Sequence, residues 1–310
     1  MGKAPTGRPR VNIVVRTKNR TTLLARALDD ILAQKFSDWV VTIVNDGGEA
    51  APVDAVFRAR EATFGKRAEL IHIADSLGME AAANLGVERI ATDYVAIHDD
   101  DDTWHPDFLA TTVAWLDANP ASPAVAVRTE IVWEQLSGSI VKELSREIFL
   151  PELQQVTLFD LLRFNTSVPI SMTYRRTDLD AVGKFDSTLK VAGDWDCNLR
   201  LAARGVIGFL PTHVLAYWHQ RPSAQGDLGN SVIGLRDDHG RLDRLIRDRA
   251  LRAYVEEDGI GLPLYLTRFL DDRFDELNRR IDHLERLSFG SYFNRVKRFV
   301  RRVFGREGQA

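Results

Sequence analysis

Residues 94–106 read Tyr-Val-Ala-Ile-His-Asp-Asp-Asp-Asp-Thr-Trp-His-Pro, an apolar run followed at once by four aspartates. The apolar part predicts a buried strand, and the proline predicts that a helix begins soon afterwards. On an extended backbone, Asp99 and Asp101 would lie on the same side and could share a divalent cation or the phosphates it carries. Asp100 and Asp102 would face the other way. The alternative is an acidic turn that caps the following helix.

Strands and helices alternate on the N-terminal side of this stretch. Residues 11–15 predict a buried strand, and apolar residues from 23 to 32 repeat at helical spacing. The pattern continues through strands at 40–44, 70–73 and 94–97, separated by helices at 53–60 and 80–90. It predicts an α/β fold whose mostly parallel central sheet carries helices on both faces. Further strands are predicted near 124–128, 170–174 and 214–218.

Polar residues follow three of the predicted strands. They are residues 16–20 after the first strand, residues 45–48 after the second, and the four aspartates. Since ligands bind parallel sheets beyond the carboxyl ends of the strands, we expect these groups to converge on one crevice. The two glycines after Asp46 permit a tight turn that leaves its carboxylate free to accept hydrogen bonds.

A further carboxylate, Asp194, falls at the predicted start of a helix that ends near Gly205. A carboxylate in this position is commonly a helix cap. If it also lines the crevice, it can take a proton from a substrate. The sequence leaves both interpretations open.

Composition narrows the class of protein. The chain has 310 residues, 45% of them apolar, as is usual for a globular protein with a core. A formal charge of -3 excludes a globally basic nucleic-acid binder, so no nucleic-acid partner is expected. The single cysteine, Cys197, excludes an intramolecular disulfide and suits a reducing cytoplasm. No stretch is apolar and long enough for a membrane span or a signal peptide.

Taken together, five blocks of sequence resemble a family 2 inverting glycosyltransferase with the GT-A fold. The blocks, which occur in family order between about residues 11 and 220, are Ile13–Arg20, Val44–Gly47, Ala83–Gly86, Asp99–Pro106 and Gly193–Trp195. The resemblance implies a Rossmann-like, mostly parallel sheet with helices on both faces, followed here by a C-terminal helical extension. It also implies a nucleotide-sugar donor as partner.

The same resemblance assigns donor-binding roles. Asp46 matches the residue that bonds the nucleotide base, and Thr17 and Asn19 lie in the loop that lines the nucleoside pocket. Asn84 matches a position near the donor sugar or the diphosphate. Arg16 stands where proline or a small residue is common, so we include it in the donor-binding set and expect the nucleotide to be held differently.

The resemblance also implies which residues bind the metal ion and which residue is the general base. Asp99 and Asp101 match the two ends of the family's Asp-X-Asp motif, with Asp101 the stronger candidate ligand for Mn²⁺ or Mg²⁺, and Asp100 between them joins the donor-binding set. His219 resembles a histidine that some relatives add to the metal or diphosphate site, although a strand-end histidine without that role is equally expected. Asp194 matches the general base, and Gly193 stands where many relatives have an acidic residue.

The expected reaction is therefore a metal-dependent, inverting sugar transfer. The donor is a nucleotide sugar, with a UDP-sugar favoured, and the acceptor is a hydroxyl of a glycan or lipid-linked molecule in surface polysaccharide or glycoconjugate assembly. One alternative is an inactive scaffold that binds nucleotide sugars. Another is a nucleotidyltransferase, although residues 16–20 lack the glycines of a phosphate loop.

Four regions are expected: a flexible N-terminus at 1–10, the glycosyltransferase domain at 11–222, a helical extension at 223–288 and a basic amphipathic helix at 289–310. Helix 270–287 carries a short heptad seam that predicts either a homo-oligomer or packing on the chain's own domain. The last helix suits the surface of an anionic membrane, or a docked terminal helix. The expected location is cytoplasmic, at the inner face of the cell membrane if that helix binds lipid.

Overall fold

The structure, a computed structural model, describes residues 8–304 apart from 139, 223, 225, 227, 228 and 230–235. The side chains of 236, 237, 239, 287–295 and 299–304 also lie outside the description. Residues 1–7 of the predicted flexible N-terminus are not among the described residues. The chain divides into two compact units, Met1–Arg244 and Leu245–Ala310.

The first part of the larger unit has the predicted alternation. Its elements are β1 (Val11–Thr17), α1 (Thr21–Leu32), β2 (Trp39–Asp46), α2 (Ala50–Phe64), β3 (Ala68–Ile73), α3 (Met79–Arg89) and β4 (Tyr94–Asp99). Every strand and helix predicted up to residue 97 is present, and most are one to four residues longer than predicted. The apolar pattern was sufficient here because each element has one or two faces in the core.

The second part departs further from the prediction. Its elements are β5 (Thr103–Trp104), α4 (Phe108–Ala118), β6 (Ala124–Ser137), β7 (Ile140–Ile148), α5 (Leu158–Arg163), β8 (Met172–Arg175), α6 (Arg176–Ala181), α7 (Gly193–Ala202) and β9 (Gly208–Gln220). The two-residue strand β5 and the hairpin formed by β6 and β7 were not predicted. The hairpin extends well beyond the strand predicted near 124–128.

Nine strands of the described chain form one sheet in the order β3-β2-β1-β4-β8-β6-β9-β5, with β7 paired to β6. The first four strands in this order are parallel, and β8 is antiparallel to both of its neighbours. In the register of β1, Arg16 lies opposite Asp99 of β4, and Thr17 lies opposite Asn45 of β2. The polar ends of β1, β2 and β4 therefore meet at one edge, as predicted.

Helices cover both faces of the parallel strands. Alternate residues of β1, such as Ile13 and Val15, belong to one buried core with side chains of α1, α2 and α4. On the other face, the Asn12 side-chain amide donates to the carbonyl of Gly86 in α3 (2.9 Å). Val14 lies so close to Gly86 that a Cβ there would be 2.4 Å from its Cγ1. Cys197 of α7 is fully buried.

The chain continues as α8 (Arg236–Asp258) and α9 (Gly261–Phe304). The predicted seam lies on α9, and its five apolar side chains are exposed: Leu270, Phe274, Leu277, Ile281 and Leu284. Most side chains of the predicted amphipathic helix lie outside the described residues. None of the helices in the described ranges offers the long apolar stretch that a membrane-crossing segment requires.

Candidate functional site

The aspartate run does not continue the strand as predicted. β4 ends at Asp99, and the chain then turns, with the backbone N–H of Asp102 donating to the carbonyl of Asp99 (3.2 Å). The prediction that Asp99 and Asp101 share one side of an extended backbone is therefore wrong. The turn points the four carboxylates in different directions, and only Asp100 and Asp101 share a partner among the contacts described below.

Asp99 is paired with Arg16, its neighbour in the register of the sheet. The Nε and Nη2 atoms of Arg16 both donate to Asp99 Oδ1, at 2.8 and 2.5 Å. The Arg16 side chain is largely buried, whereas that of Asp99 is 20% exposed. Arg16 therefore lies at the polar edge of the sheet, between β1 and β4, and in this structure it neutralises the first aspartate.

The next two aspartates are bound by another arginine. Arg20 contacts Asp100 Oδ1 through Nη2 (2.7 Å) and Asp101 Oδ2 through Nη1 (3.1 Å). Asp100 is fully buried, and burial raises the pKa of its carboxyl to about 6 even though Arg20 lowers it. Burial also acts on Asp101, but Arg20 and Arg221 outweigh it and keep the pKa of Asp101 below its usual value. Asp100 thus supports the loop from within.

Glu134, near the end of β6, is the centre of a buried network of charged side chains, called the charge network below. Its carboxylate accepts from Arg26 (2.8 Å) and Arg221 (2.8 Å) and lies 2.9 Å from His219 Nδ1. Arg221 also pairs with Asp101. Burial alone would raise the pKa of Glu134, but the hydrogen bonds from His219 and Arg26 hold it well below the usual range.

The sequence did not single out Arg26, Glu134 and Arg221. They are far apart in the chain and belong to no block of the resemblance. The one local signal is a charged residue directly after the apolar residues 131–133. Such a residue is ordinarily exposed, so this signal is weak.

His219 lies at the end of β9, next to the aspartate turn. Its Nδ1 faces Glu134, and its Nε2 is 2.8 Å from the hydroxyl oxygen of Thr103. Its backbone N–H donates to Asp102 Oδ1 (2.8 Å), and burial lowers the pKa of its ring. The structure thus places His219 beside the predicted metal carboxylates, but with both ring nitrogens near protein oxygens. Its role as a ligand stays a prediction.

On the nucleoside side, Asp46 organises a loop. It accepts hydrogen bonds from the Ser76 hydroxyl (2.8 Å) and from the backbone N–H groups of Leu77 (2.7 Å) and Gly78 (3.0 Å). These bonds fix the approach to α3. The predicted contact between Asp46 and the nucleotide base is not tested by them and would use the remaining acceptor capacity of the carboxylate.

Asn19 lies in the loop after β1, as predicted, whereas Thr17 is the last residue of the strand. Asn19 has a positive φ of 55° and accepts from the backbone N–H of Glu49 (3.0 Å), which ties this loop to the start of α2. Thr17 is buried at the end of β1. Their role in the nucleoside pocket stays a prediction.

Asn84 has an additional role that the sequence did not indicate. Its amide donates to the carbonyl of Phe185 (2.7 Å) and accepts from the backbone N–H of the same residue (3.1 Å). This reciprocal pair joins α3 to the loop before α7. A contact with the donor sugar or diphosphate stays a prediction.

Asp194 lies in the first turn of α7, as predicted. The side-chain amide of Asn165 donates to its Oδ2 (2.7 Å). Burial raises the pKa of Asp194, while the Trp195 N–H and the Asn165 amide lower it less strongly, and the charges of Arg16 and Asp99 also act on it. Asp194 is therefore an oriented carboxylate near Arg16 and Asp99, with an increased affinity for a proton.

A divalent cation needs oxygen ligands, and the candidates here are the carboxylates of the aspartate turn. Within the described residues, no group of three or more His, Cys, Asp or Glu side chains is arranged to hold a metal. Mg²⁺, however, is usually bound by one or two carboxylates together with substrate phosphates. Asp99 fits that arrangement, since Arg16 bonds one of its oxygens and the side chain is partly exposed. Asp101 is less accessible, at 9% exposure.

A family model and two relatives that are similar to this chain all describe glycosyltransferases. The family model described as "Glycosyl transferase family 2" matches residues 12–181. The chain is 29% identical over 243 residues to the uncharacterized glycosyltransferase YwdF of Bacillus subtilis, with 78% of this chain and 85% of that protein covered. It is 23% identical over 229 residues to a PGL/p-HBAD biosynthesis glycosyltransferase of Mycobacterium bovis, with 73% and 81% covered.

A solved structure, S. aureus TarS 1-349 in complex with UDP-GlcNAc, has a similar fold. The TM-score is 0.51 at 17% identity, and the likeness covers 70% of this chain and 62% of that one. The chain thus spans less than two thirds of the length of this structural neighbour. The predicted GT-A fold, with its mostly parallel sheet and helices on both faces, is confirmed.

Proposed function

Since the chain belongs to glycosyl transferase family 2, we propose that it transfers a sugar from a nucleotide diphosphate to an acceptor hydroxyl, with inversion at the anomeric carbon. The observation that supports this most directly is the placement of Asp194. Its carboxylate is oriented by Asn165 at the start of α7, and the charges of Arg16 and Asp99 act on it. Base and donor site would then face one crevice.

In the proposed reaction, Asp194 takes the proton of the acceptor hydroxyl as that oxygen attacks the anomeric carbon. A free hydroxyl has a pKa far above neutrality, so attack requires a positioned base. Burial raises the pKa of Asp194, which strengthens it as a base. A single displacement inverts the anomeric centre, and no covalent nucleophile is needed.

Mg²⁺ or Mn²⁺ would be held by Asp99 together with the phosphates of the donor, with Asp101 and His219 as further candidate ligands. When bound, the ion neutralises negative charge on the leaving diphosphate as a Lewis acid. Arg16 would lie beside the same diphosphate. Its guanidinium, now paired with Asp99, is a natural partner for phosphate oxygens.

A UDP-sugar is the favoured donor. Asp46 would bond the base, with Thr17, Asn19 and Asn84 around the nucleoside and the sugar. TarS structures hold UDP and UDP-GlcNAc, which makes UDP-sugars the first ligands to test.

The acceptor is proposed to carry an apolar group, as a lipid-linked acceptor does. Four large apolar side chains on and beside α5 are exposed: Leu158, Phe159, Leu162 and Phe164. This surface directly precedes Asn165, which holds the proposed base. An acceptor whose hydroxyl reaches Asp194 could therefore rest its apolar part on α5. One relative is named for PGL/p-HBAD biosynthesis.

The test is a panel of nucleotide sugars with and without Mn²⁺, read first by thermal unfolding and then by transfer to lipid-linked and free sugar acceptors. A donor that binds the folded protein raises its melting temperature. We expect metal-dependent stabilisation by a UDP-sugar and a product of inverted anomeric configuration by NMR. A retained configuration would refute the mechanism. Binding without transfer or donor hydrolysis would instead indicate a scaffold. Formation of a nucleoside triphosphate and a sugar 1-phosphate when pyrophosphate is added to the donor would indicate a nucleotidyltransferase.

Asp99→Asn tests the metal assignment. We expect it to weaken donor binding at least tenfold in Mn²⁺, because losing a charged partner costs about 1.5–3 kcal/mol. In EDTA the variant and the unchanged protein should bind the donor alike, as measured by calorimetry. Equal affinities in Mn²⁺ would remove Asp99 from the metal site.

The predicted amphipathic segment, residues 289–310, is proposed to bind an anionic membrane surface at the inner face of the cell membrane. Its alternating apolar and basic residues support this. Co-sedimentation with anionic vesicles should be lost from a chain that ends at Ser288. Undiminished co-sedimentation would refute the proposal.

A further inference from the structure

We propose that Glu80 of α3 is a positioning residue for Asp194, because it occupies the space beside Gly193 and holds the start of α7. The proposal rests on the function proposed above only in taking Asp194 as the base. Glu80 was not identified from the sequence, where it is an ordinary acidic residue in the first turn of a helix.

Glu80 and Gly193 fit together closely. A Cβ added to Gly193 would lie 2.4 Å from Glu80 Cδ and 2.6 Å from both Cγ and Oε1. No real side chain tolerates such distances, so the glycine is required as long as the glutamate lies there. The Gly193 backbone also lowers the pKa of the Glu80 carboxyl, as a nearby N–H group does.

Helix α7 needs a partner of this kind. The residue before it, Ala192, has a left-handed φ of 63° and supplies no side-chain cap. The first N–H groups of a helix have no partners within the helix and attract negative charge. Glu80 brings an acceptor oxygen close to this position from another helix, at the residue before Asp194.

Glu80 also connects α7 to the donor side of the crevice. Its Oε2 lies 3.7 Å from Arg16 Nη1, and Arg16 bonds Asp99. The contacts thus run from Asp99 through Arg16 and Glu80 to the residue before Asp194. An acidic residue can cap a helix from an exposed position, so capping alone does not require burial. The Glu80 side chain, however, is only 5% exposed. Burying a carboxyl group is costly, which favours a specific role.

The charges around Glu80 are consistent with this arrangement. Burial, together with Asp194 and Asp99, raises the pKa of Glu80 to about 8, while Arg16 and the Gly193 N–H lower it. At neutral pH the group is then mainly a neutral carboxyl. Glutamine keeps its shape and its acceptor oxygen, so Glu80→Gln is the conservative variant.

The kinetic test compares Glu80→Ala and Glu80→Gln with Glu88→Ala, an exposed position on the same helix that pairs with Lys184. We expect Glu80→Ala to lower kcat at least tenfold with donor KM within about twofold, Glu80→Gln to restore most of kcat, and Glu88→Ala to change neither. Unchanged kcat in Glu80→Ala, or an equal loss in Glu80→Gln, would overturn the proposal.

A second test does not require activity. Gly193→Ala should lower Tm clearly in the unchanged protein and much less in Glu80→Ala, since the added methyl then has space. Hydrogen exchange at residues 193–196 should be faster in Glu80→Ala than in Glu88→Ala. Equal Tm losses in the two backgrounds, or unchanged exchange, would refute the role of Glu80. Absence of transfer by the unchanged protein would refute only the proposed function.

Discussion

Asp194 shares its helix with a second acidic residue, which provides a matched control. Asp196 pairs with Arg200 (2.6 Å) rather than with the crevice. We expect Asp194→Asn to lower kcat by about 10²–10⁴, the usual contribution of a general base, with donor affinity retained. Asp196→Asn should keep kcat. Turnover near that of the unchanged protein in Asp194→Asn would remove Asp194 from the mechanism.

Glu80 predicts a pH dependence of stability. Its pKa is about 8 in the folded protein, whereas the ordinary pKa of a glutamate side chain is 4.5. The folded state therefore binds the proton more tightly, and this contribution to stability is complete below pH 4.5 and is lost as pH rises to 8. Urea unfolding across this range should show a smaller decline for Glu80→Gln than for the unchanged protein. Parallel curves would contradict the prediction.

For individual residues, the sequence predicted the residue types of the site better than their contacts. Asp46 lies at the predicted edge of the sheet, and Asp194 lies at the predicted start of its helix. The bonds of Asn84 to Phe185 were not predicted, because no local pattern indicates which loop will face α3. The close fit between Gly193 and Glu80 could not be predicted from the sequence either, because the two residues belong to different helices.

Among the strands and helices, the prediction succeeded where burial imposes a regular pattern of apolar residues. Strand β1 is buried at every position, and α1 buries one clear apolar face. The long hairpin partner β7 is almost entirely exposed, so its sequence lacks the alternation that identifies a half-buried strand. Strand β5 was missed because two residues carry no periodicity.

Strand β6 contains the residue on which the charge network depends most. Glu134→Ala would leave Arg26, Arg221 and His219 without their shared carboxylate in a buried position. Removing one partner of a buried ion pair costs about 3–5 kcal/mol, and we expect a loss of that size in the free energy of unfolding. Glu147→Ala, on the exposed strand β7, should cost only a small part of it. Equal losses by urea unfolding would contradict this prediction.

For the molecule as a whole, ion pairs between distant segments were beyond sequence analysis. Arg20, Arg221 and Asp101 come from the ends of three different strands, and only the folded sheet brings them together. From the sequence, the aspartate run was therefore predicted to be either a metal-binding extended segment or a helix-capping turn, and the pairing of three of its carboxylates with arginines was not predicted.

The exposed seam on α9 predicts self-association. Leu277 lies within it and is 52% exposed, whereas Leu264, 66% exposed, lies before it. We expect the full chain to be a dimer by light scattering and Leu277→Arg to make it a monomer, because a charge in a heptad core opposes pairing. Leu264→Arg should remain a dimer. A monomeric unchanged protein would refute the seam as a dimer interface.

The isolation of Cys197 has a practical consequence. It is fully buried, and burial raises the pKa of its thiol to about 12, so maleimides should not label it near neutral pH. A cysteine introduced at an exposed position, such as Leu144 on the hairpin, would then be the single reactive thiol of the chain. One fluorophore there could report whether the hairpin moves when donor or acceptor binds, without removing any native residue of the site.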